Sequence, residues 1–306
     1  TNFIESLMPN ANVTILNLDI KNPKIDSHNA VWVNVDIRDK SLLKSTIEKF
    51  NPTIVIHFAA RTDLNGTSIE DYSTNTIGTQ NVVEVLNEID FLGIALFTSS
   101  MYVCEPGYKP KNFEDYKPHT VYGESKVKTE IIVKSILKKY TSAIIRPTSI
   151  WGPWFGEPYS DFFDIVLSKK YIHVGKYSCK KTYGYIENTI AQIEAIINSP
   201  HEIINKKVFY LGDWPEYPID GWADEISETV PYKIKTFPLW FFKGLGIFGD
   251  FCKMAGLKFP MTSFRLKNMT TDNVQDLEPI RRLLPNLPSS RRNGVIKTVT
   301  WIKKNK

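Results

Sequence analysis

The chain has 306 residues, of which 42% are hydrophobic and 23% charged, as in an ordinary folded protein. Its net charge of +5 comes from scattered basic residues, so composition argues against nucleic-acid binding. The three cysteines, at positions 104, 179 and 252, have no paired spacing. This pattern argues against a disulfide framework and a zinc site, and it predicts no bound metal and a reducing, cytoplasmic setting.

The first part of the sequence alternates between short apolar strands and helices. The predicted strands are Val13–Leu18 with Asp19 at its end, Thr53–Phe58, Gly93–Phe97 and Ser142–Ile145. The predicted helices are Ser41–Phe50, with a cap-like serine, Asn75–Ile89 and Tyr122–Tyr140. This alternation predicts an α/β fold with a doubly wound parallel sheet of the Rossmann type. Ligands bind such sheets at the carboxyl ends of the strands.

A second, smaller α/β domain is predicted after a boundary near Pro147–Pro153, where aromatic residues and prolines become frequent. The first domain is predicted to cover 1–146 and about 186–200, and the second 147–185 and 201–306. The most apolar stretch, Phe237–Leu257, contains Lys243, Asp250 and Lys253, so it is not expected to be an integral membrane segment. We interpret it as core helices of the small domain, with a membrane-surface contact as the alternative.

Tyr122 and Lys126 form the most informative motif, because residues four apart share one face of a helix. A free tyrosine has a pKa of about 10, and a neighbouring cation lowers that pKa. Ser100, at the end of the preceding predicted strand, is placed to hydrogen-bond a substrate oxygen while Tyr122 moves the proton. This is the equipment for oxidising an alcohol or reducing a ketone with a nicotinamide, although the spacing alone is common.

The N-terminal residues Thr1–Leu7 have the pattern of a helix that is already under way. A dinucleotide-binding fold needs a strand and a glycine loop before that helix, because glycines let the backbone approach the pyrophosphate. We therefore expect that the natural protein continues upstream of Thr1.

Further motifs occur in a characteristic order along the chain. They are Asp36-Ile-Arg-Asp39, His57-Phe-Ala-Ala60, Asn75–Asn81, Thr98-Ser-Ser100, Tyr122-x-x-x-Lys126, Arg146-Pro147, Gly152-Pro153 and Tyr185–Asn188. Together they resemble the extended short-chain dehydrogenase/reductase superfamily, in its NAD-dependent nucleotide-sugar epimerase and dehydratase group. The resemblance runs from Thr1 to about Gly212.

The resemblance implies NAD as the cofactor and gives roles to residues at the strand ends. Asp19 would bind the adenosine ribose and favour NAD over NADP. The adenine would contact Asp36 and Ile37, and the dinucleotide would be lined by Phe58, Ala59 and Ala60. The nicotinamide side would be formed by Thr98, Ser99, Pro147 and Thr148. Lys126 would hold the nicotinamide ribose and tune Tyr122.

The resemblance also implies a catalytic set, a substrate and an assembly. Ser100, Tyr122 and Lys126 would be catalytic, and a nucleotide-linked sugar would be bound by Arg61, Ser100 and Arg265. Asn75 would tie backbone segments together and not touch substrate. A homodimer is expected through helices 75–89 and 122–140, whose apolar faces include Val82, Val85, Leu86, Ile131, Ile132 and Ile136.

Departures from the family pattern narrow the reaction. Family 4,6-dehydratases usually carry an Asp–Glu pair where this sequence has Met101–Tyr102, so an epimerase or a reductase is favoured. Cys104 and His119 do not match the offsets of reductases that also epimerise, and Glu187–Asn188 replaces a commoner acidic pair. A hydroxysteroid-type dehydrogenase and a non-catalytic NAD-binding scaffold remain open as alternatives.

Overall fold

The structure is a computed structural model that describes residues 1–90, 93–137, 139–175, 178–257, 259 and 261–305. Within these ranges, the side chains of residues 264, 265 and 268 are not described. In the described part of the chain, no helix is long and apolar enough to cross a membrane.

The first half of the chain alternates strands and helices as the sequence predicts. The strands are β1 (Asn17–Asp19), β2 (Trp32–Asn34), β3 (Ile54–His57), β4 (Ile94–Thr98) and β5 (Thr141–Pro147). The helices are α1 (Asn2–Leu7), α2 (Lys40–Phe50), α3 (Thr79–Glu88) and α4 (Val121–Ile136). A π-helical turn, Thr74–Gly78, leads into α3.

The second half is less regular and its strands are short. The strands are β6 (Ser149–Trp151), β7 (Ile172–Val174), β8 (Lys180–Lys181), β9 (Tyr183–Tyr185), β10 (Lys207–Leu211), β11 (Tyr217–Pro218) and β12 (Lys235–Phe237). The helices are α5 (Tyr159–Leu167), α6 (Ile186–Ile197), α7 (His201–Ile204), α8 (Ile219–Ser227), α9 (Leu239–Met254), α10 (Ser263–Thr270), α11 (Glu278–Leu283) and α12 (Arg291–Asn305).

A parallel sheet with the strand order β10-β5-β4-β3 forms the centre of the first half, and β1 and β2 pair separately, also in parallel. The predicted α/β class with a Rossmann-type parallel sheet is confirmed. Strand β4 is buried along most of its length, which its continuous apolar sequence requires. The carboxyl ends of β3, β4 and β5 meet at one edge of this sheet.

The described chain divides into two compact units. Unit 1 contains 1–148, 189–211 and 276–286, and unit 2 contains 149–188, 212–275 and 287–306. Strand β10 belongs to unit 1 because it pairs with β5, whereas the sequence boundaries placed it in the second domain. Unit 1 has an aliphatic core, and unit 2 has a core rich in aromatic rings, including Trp151, Tyr185 and Trp222.

Two local predictions need correction. The cap of α2 is Asp39, whose carboxylate accepts a hydrogen bond from Leu42 N at 3.0 Å, and not the serine at position 41. The predicted dimer face is also wrong in part, because Val82, Val85 and Leu86 are buried in the core of unit 1. Ile131 on α4 is about half exposed. The homodimer itself stays a prediction.

Candidate active site

Ser100 and Tyr122 are brought together by two neighbouring helix starts in unit 1. Ser100 follows the end of β4 and caps the turn Met101–Val103, its Oγ accepting a hydrogen bond from Tyr102 N at 3.2 Å. Thr120 caps α4 in the same way, its Oγ1 accepting from Gly123 N at 3.0 Å. Tyr122 therefore lies in the first turn of α4, where its phenol is close enough to Ser100 for the serine hydroxyl to influence its pKa.

The phenol of Tyr122 is buried between two other tyrosine rings. The ring centroids of Tyr72 and Tyr102 lie 6.0 and 5.9 Å from its own. Burial raises the pKa of Tyr122 to about 12, and the hydrogen bond from Ser100 opposes that shift. The sequence predicted that Lys126 would lower the pKa of Tyr122. In this structure that expectation is wrong, because the cost of burying the phenolate dominates.

Lys126 is a buried cation one turn further along α4. Its Nζ donates a hydrogen bond to the carbonyl oxygen of Thr98 at 2.9 Å. Burial lowers the pKa of Lys126 to about 8, while the carboxylate of Glu130 favours the charged form. An ammonium has three donors, and the described structure uses one of them here. Lys126 therefore keeps hydrogen-bonding capacity at the end of β4.

Glu130, one turn beyond Lys126, forms a closed ion pair with Arg146 of β5. Arg146 donates to Glu130 from Nε at 2.8 Å and from a terminal nitrogen at 2.9 Å. Tyr116 Oη donates to the same carboxylate at 2.9 Å. Neither Glu130 nor this pairing was predicted. The spacing of Lys126 and Glu130 on α4 was a usable signal, since it places both on one face.

Ser99 faces this ion pair, which changes the role expected for it. Its Oγ donates to Glu130 Oε1 at 2.6 Å, and its backbone N–H donates to the carbonyl oxygen of Ile145 at 2.7 Å. The predicted contact of the Ser99 hydroxyl with the nicotinamide side is therefore not supported. Ser99 fixes the end of β4 against α4 and β5, and Ser100 follows from that fixed position.

Asn75 ties the loop after β3 to α4, in line with the role that the sequence gave it. Its side chain bonds both backbone groups of Arg61, at 2.8 and 3.0 Å, and donates to Ser125 Oγ at 2.9 Å. The guanidinium of Arg61 is already engaged by Asp63 at 2.8 Å and by the carbonyl oxygen of Asp71 at 2.9 Å. This arrangement argues against Arg61 as a free substrate-binding cation. The side chain of Arg265 lies outside the described residues.

The residues predicted to bind the adenosine half lie at the ends of the first strands. Asp19 ends β1 and is exposed, with its carboxylate accepting from Lys21 N at 2.9 Å. The carboxylate of Asp36 is bound by Arg38, which lowers the pKa of Asp36. Ile37 is buried in the core, so its side chain has a packing role.

The residues after β3 and β5 differ in how available they are. Phe58 is exposed, and its ring meets the edge of Phe3 at 5.8 Å, while Ala59 and Ala60 are half-buried. Pro147 ends β5. Thr148 directs both its N–H and its Oγ1 to the carbonyl oxygen of Leu211, at 3.1 and 2.8 Å. Thr148 therefore links the end of β5 to the end of β10 through two hydrogen bonds.

Two features of unit 1 fit a dinucleotide at the end of β4. Among the described residues, the hydroxyl oxygen of Thr98 is buried without a partner, which is costly unless another molecule supplies one. Lys126, whose Nζ binds the carbonyl oxygen of the same residue, has unused donors. A ribose offers hydroxyls that both donate and accept, and the exposed Asp19 carboxylate suits a second ribose. Among the described residues, no cluster of three or more His, Cys, Asp or Glu side chains is arranged to hold a metal.

In the motif Tyr185–Asn188 of unit 2, the contacts of Asn188 explain why this sequence has Glu187–Asn188 in place of the commoner acidic pair. Asn188 Nδ2 donates to Asp213 Oδ1 at 3.0 Å and to the carbonyl oxygen of Ser289 at 2.9 Å, and its Oδ1 accepts from Ser289 N. An acid at position 188 would repel Asp213 and could not donate. Glu187 instead forms an ion pair with Lys297 at 2.7 Å.

The family model described as NAD dependent epimerase/dehydratase family matches residues 2–212. The chain belongs to this family. The family is defined by its use of NAD, so the cofactor prediction is confirmed at that level. The assignment of individual residues to the cofactor and to catalysis stays a prediction.

Two relatives show what this chain is similar to. It is 27% identical to UDP-glucuronate 4-epimerase of Thermodesulfobacterium geofontis over 58% of each chain. It is 30% identical to dTDP-4-dehydrorhamnose reductase of Aggregatibacter actinomycetemcomitans, over 39% of this chain and 41% of the relative. These matches thus span about two fifths to three fifths of the relatives' own lengths.

Solved structures confirm the Rossmann-type fold of the family member. A UDP-glucose 4-epimerase from Thermotoga maritima, solved with UDP-glucose, superposes with a TM-score of 0.74 at 16% identity. That comparison covers 99% of this chain and 94% of the epimerase.

Proposed function

We propose that this protein is an NAD-dependent enzyme that epimerises a nucleotide-linked sugar, with Tyr122 as the proton carrier. The observation that carries the proposal is the buried group of Ser100, Tyr122 and Lys126 beside the end of β4. Membership of the family and the relative named UDP-glucuronate 4-epimerase support the substrate class.

Tyr122 works as an acid in the state described by the structure. With a pKa raised to about 12, its phenol is protonated at neutral pH and can donate to the oxygen of a keto sugar. In the opposite direction its phenolate form accepts the proton of a sugar hydroxyl. Lys126, on the same helix face, would hold the nicotinamide ribose through the donors that its bond to Thr98 leaves unused. Ser100 holds the phenol and the reacting oxygen in one hydrogen-bonded group.

NAD, when bound, supplies the acceptor and the donor for the hydride. In the oxidative half, the phenolate form of Tyr122 would accept the O–H proton of the sugar while the hydride of the same carbon passes to the bound cofactor and a C=O bond forms. In the reductive half, the hydride would return to the other face of that carbon and the phenol of Tyr122 would give the proton back. The net result is inversion at one carbon with no consumption of NAD.

Net reduction of a keto sugar is the second candidate. The raised pKa of Tyr122 favours it, because the phenol starts in the proton-donating form. One relative is named dTDP-4-dehydrorhamnose reductase, which also supports net reduction.

Product analysis separates the candidates. The protein is incubated with NAD and, in separate reactions, UDP-glucose, UDP-galactose, UDP-glucuronate or a hydroxysteroid. A further reaction contains NADH and a nucleotide-linked keto sugar, and all are followed by proton NMR and NADH absorbance. Interconversion of sugar epimers without net NADH supports the epimerase. Stoichiometric oxidation of NADH by a nucleotide-linked keto sugar supports the reductase. Turnover of the hydroxysteroid alone, or calorimetry showing no NAD binding, would overturn both.

A further inference from the structure

Helix α9 in unit 2 has one face buried in the core and the opposite face exposed to solvent. Phe242, Gly246 and Gly249 are buried, on the face that contacts α10. A side chain at Gly249 would collide with the backbone of Met261, so this close packing requires glycine. The core helices predicted for this region are therefore a single helix with only one face in the core.

The opposite face of α9 is a continuous apolar stripe. Its members fall on one side of the helix at 3.6 residues per turn and are 55–84% exposed: Trp240, Ile247, Phe248, Phe251 and Met254. Leu257, just beyond the helix, is 63% exposed and extends the stripe. Single exposed apolar residues are common on proteins, but a contiguous row of large ones marks an interaction surface.

The sequence segment that contains this stripe is strongly basic. Segment 233–267 contains seven basic residues and a single acidic residue, Asp250, so its surplus exceeds the net charge of the whole chain, +5. The Asp250 carboxylate is engaged, because its Oδ1 accepts a hydrogen bond from Ser263 N at 3.2 Å. On α9 itself, Lys243 and Lys253 are exposed. The surface that meets this stripe should therefore be apolar and negatively charged.

We propose that the apolar stripe of α9 docks in the plane of an anionic membrane surface. An interfacial helix combines large apolar residues on one side with lysines and arginines, and tryptophan favours the depth of the lipid headgroups. The 16 residues of α9 are too few and too interrupted to cross a bilayer, which leaves the surface as the place for its apolar side chains. This inference does not depend on the proposed reaction.

Vesicle co-sedimentation tests the proposal on the intact protein. Wild type should bind vesicles of phosphatidylcholine with phosphatidylglycerol, bind pure phosphatidylcholine more weakly, and lose affinity as salt rises. Phe251→Ser/Met254→Ser should lower partitioning at least about tenfold, because each buried side chain contributes to it. Lys243→Gln/Lys253→Gln should lower it about 25-fold on anionic vesicles only.

Ile296→Ser is the matched control, because Ile296 is 51% exposed on α12 of the same unit. It should bind vesicles like wild type, and circular dichroism should show that all variants are folded. Equal binding by wild type and the Phe251/Met254 variant would overturn the proposal. So would a wild type that ignores vesicles but self-associates in solution through the stripe, with the same variant monomeric.

Discussion

Two buried charged residues, Lys126 and Glu130, lie one turn apart on α4 and differ in their hydrogen-bond partners. Glu130 accepts hydrogen bonds from Ser99, Tyr116 and, twice, Arg146. Within the part of the chain that the structure describes, Lys126 donates a single hydrogen bond, to the carbonyl of Thr98, whose own hydroxyl has no partner there. Both charges are therefore buried, and they differ in how many of their hydrogen-bonding positions are occupied. The ion pair of Glu130 and Arg146 holds the end of β4 in place. The ammonium of Lys126 beside it keeps donors that a ligand can use.

Breaking the closed pair should have the largest effect. Glu130→Gln leaves the Arg146 guanidinium buried without a counter-charge, which should cost about 3–5 kcal/mol of unfolding free energy. Urea unfolding followed by circular dichroism measures it. Glu114→Gln, which breaks an exposed ion pair with Lys134 at 3.3 Å, is the control and should change stability little. Equal losses for the two variants would contradict the comparison.

Asp213 in unit 2 extends the comparison to a buried acid whose partners among the described residues include no cation. Its partners Asn188, Tyr217 and the N–H of Tyr185 are neutral, and burial raises the pKa of Asp213 to about 6. A carboxyl whose folded pKa is raised gives stability that is complete below its ordinary pKa and is lost as pH rises through the folded value. Wild type should therefore lose about 2–3 kcal/mol between pH 4 and pH 7 relative to Asp213→Asn.

Urea unfolding followed by tryptophan fluorescence suits this measurement, because six of the seven tryptophans lie in unit 2. The expected observation is a steeper pH dependence for wild type than for the asparagine variant. Parallel pH profiles would show that Asp213 does not titrate in this range.

Loss of the Lys126 charge should appear as an alkaline limb in the pH profile of kcat/KM. The pKa of Lys126 is lowered to about 8, so the ammonium is lost above that pH and kcat/KM should fall about tenfold per pH unit. Lys126→Arg keeps its charge throughout this range and should remove that alkaline limb, with circular dichroism as the check on folding. An unchanged limb in the arginine variant would assign it to another group.

The smallest expected effect concerns the choice of cofactor. Asp19 is exposed at the end of β1, so Asp19→Ala should narrow the preference for NAD over NADP by about two- to fivefold. Calorimetry with both cofactors measures this ratio. Asp26→Ala, which removes another exposed acid from the same region, should leave it unchanged. A wild type that prefers NADP would remove Asp19 from the cofactor site.

The sequence predicted what local patterns determine. The apolar run of β4 was enough to place Thr98–Ser100 at a strand end in a parallel sheet, and the spacing of Tyr122 and Lys126 was enough to place both on one face of a helix. Partners that come from distant segments could not be predicted, such as Glu130 for Ser99 or Asp213 for Asn188. The pKa of Tyr122 was predicted in the wrong direction because burial depends on the packing of Tyr72 and Tyr102.

Segment 237–257 shows a second limit. Its apolar composition indicated a core, but composition does not say which face of a helix is covered. In the structure, Phe242 is buried while Phe251 and Met254 face solvent.

The turnover of Tyr122→Phe compared with Tyr102→Phe tests the central claim most directly. The two rings are neighbours, 5.9 Å apart, and each variant loses one hydroxyl while the ring stays. Removing the proton carrier should lower kcat with the nucleotide sugar about 100- to 10,000-fold, with NAD affinity nearly unchanged. Tyr102→Phe should keep most of its activity. A Tyr122→Phe enzyme that retains more than about a third of wild-type kcat, far above the residual rate expected without a general acid–base group, would contradict the account.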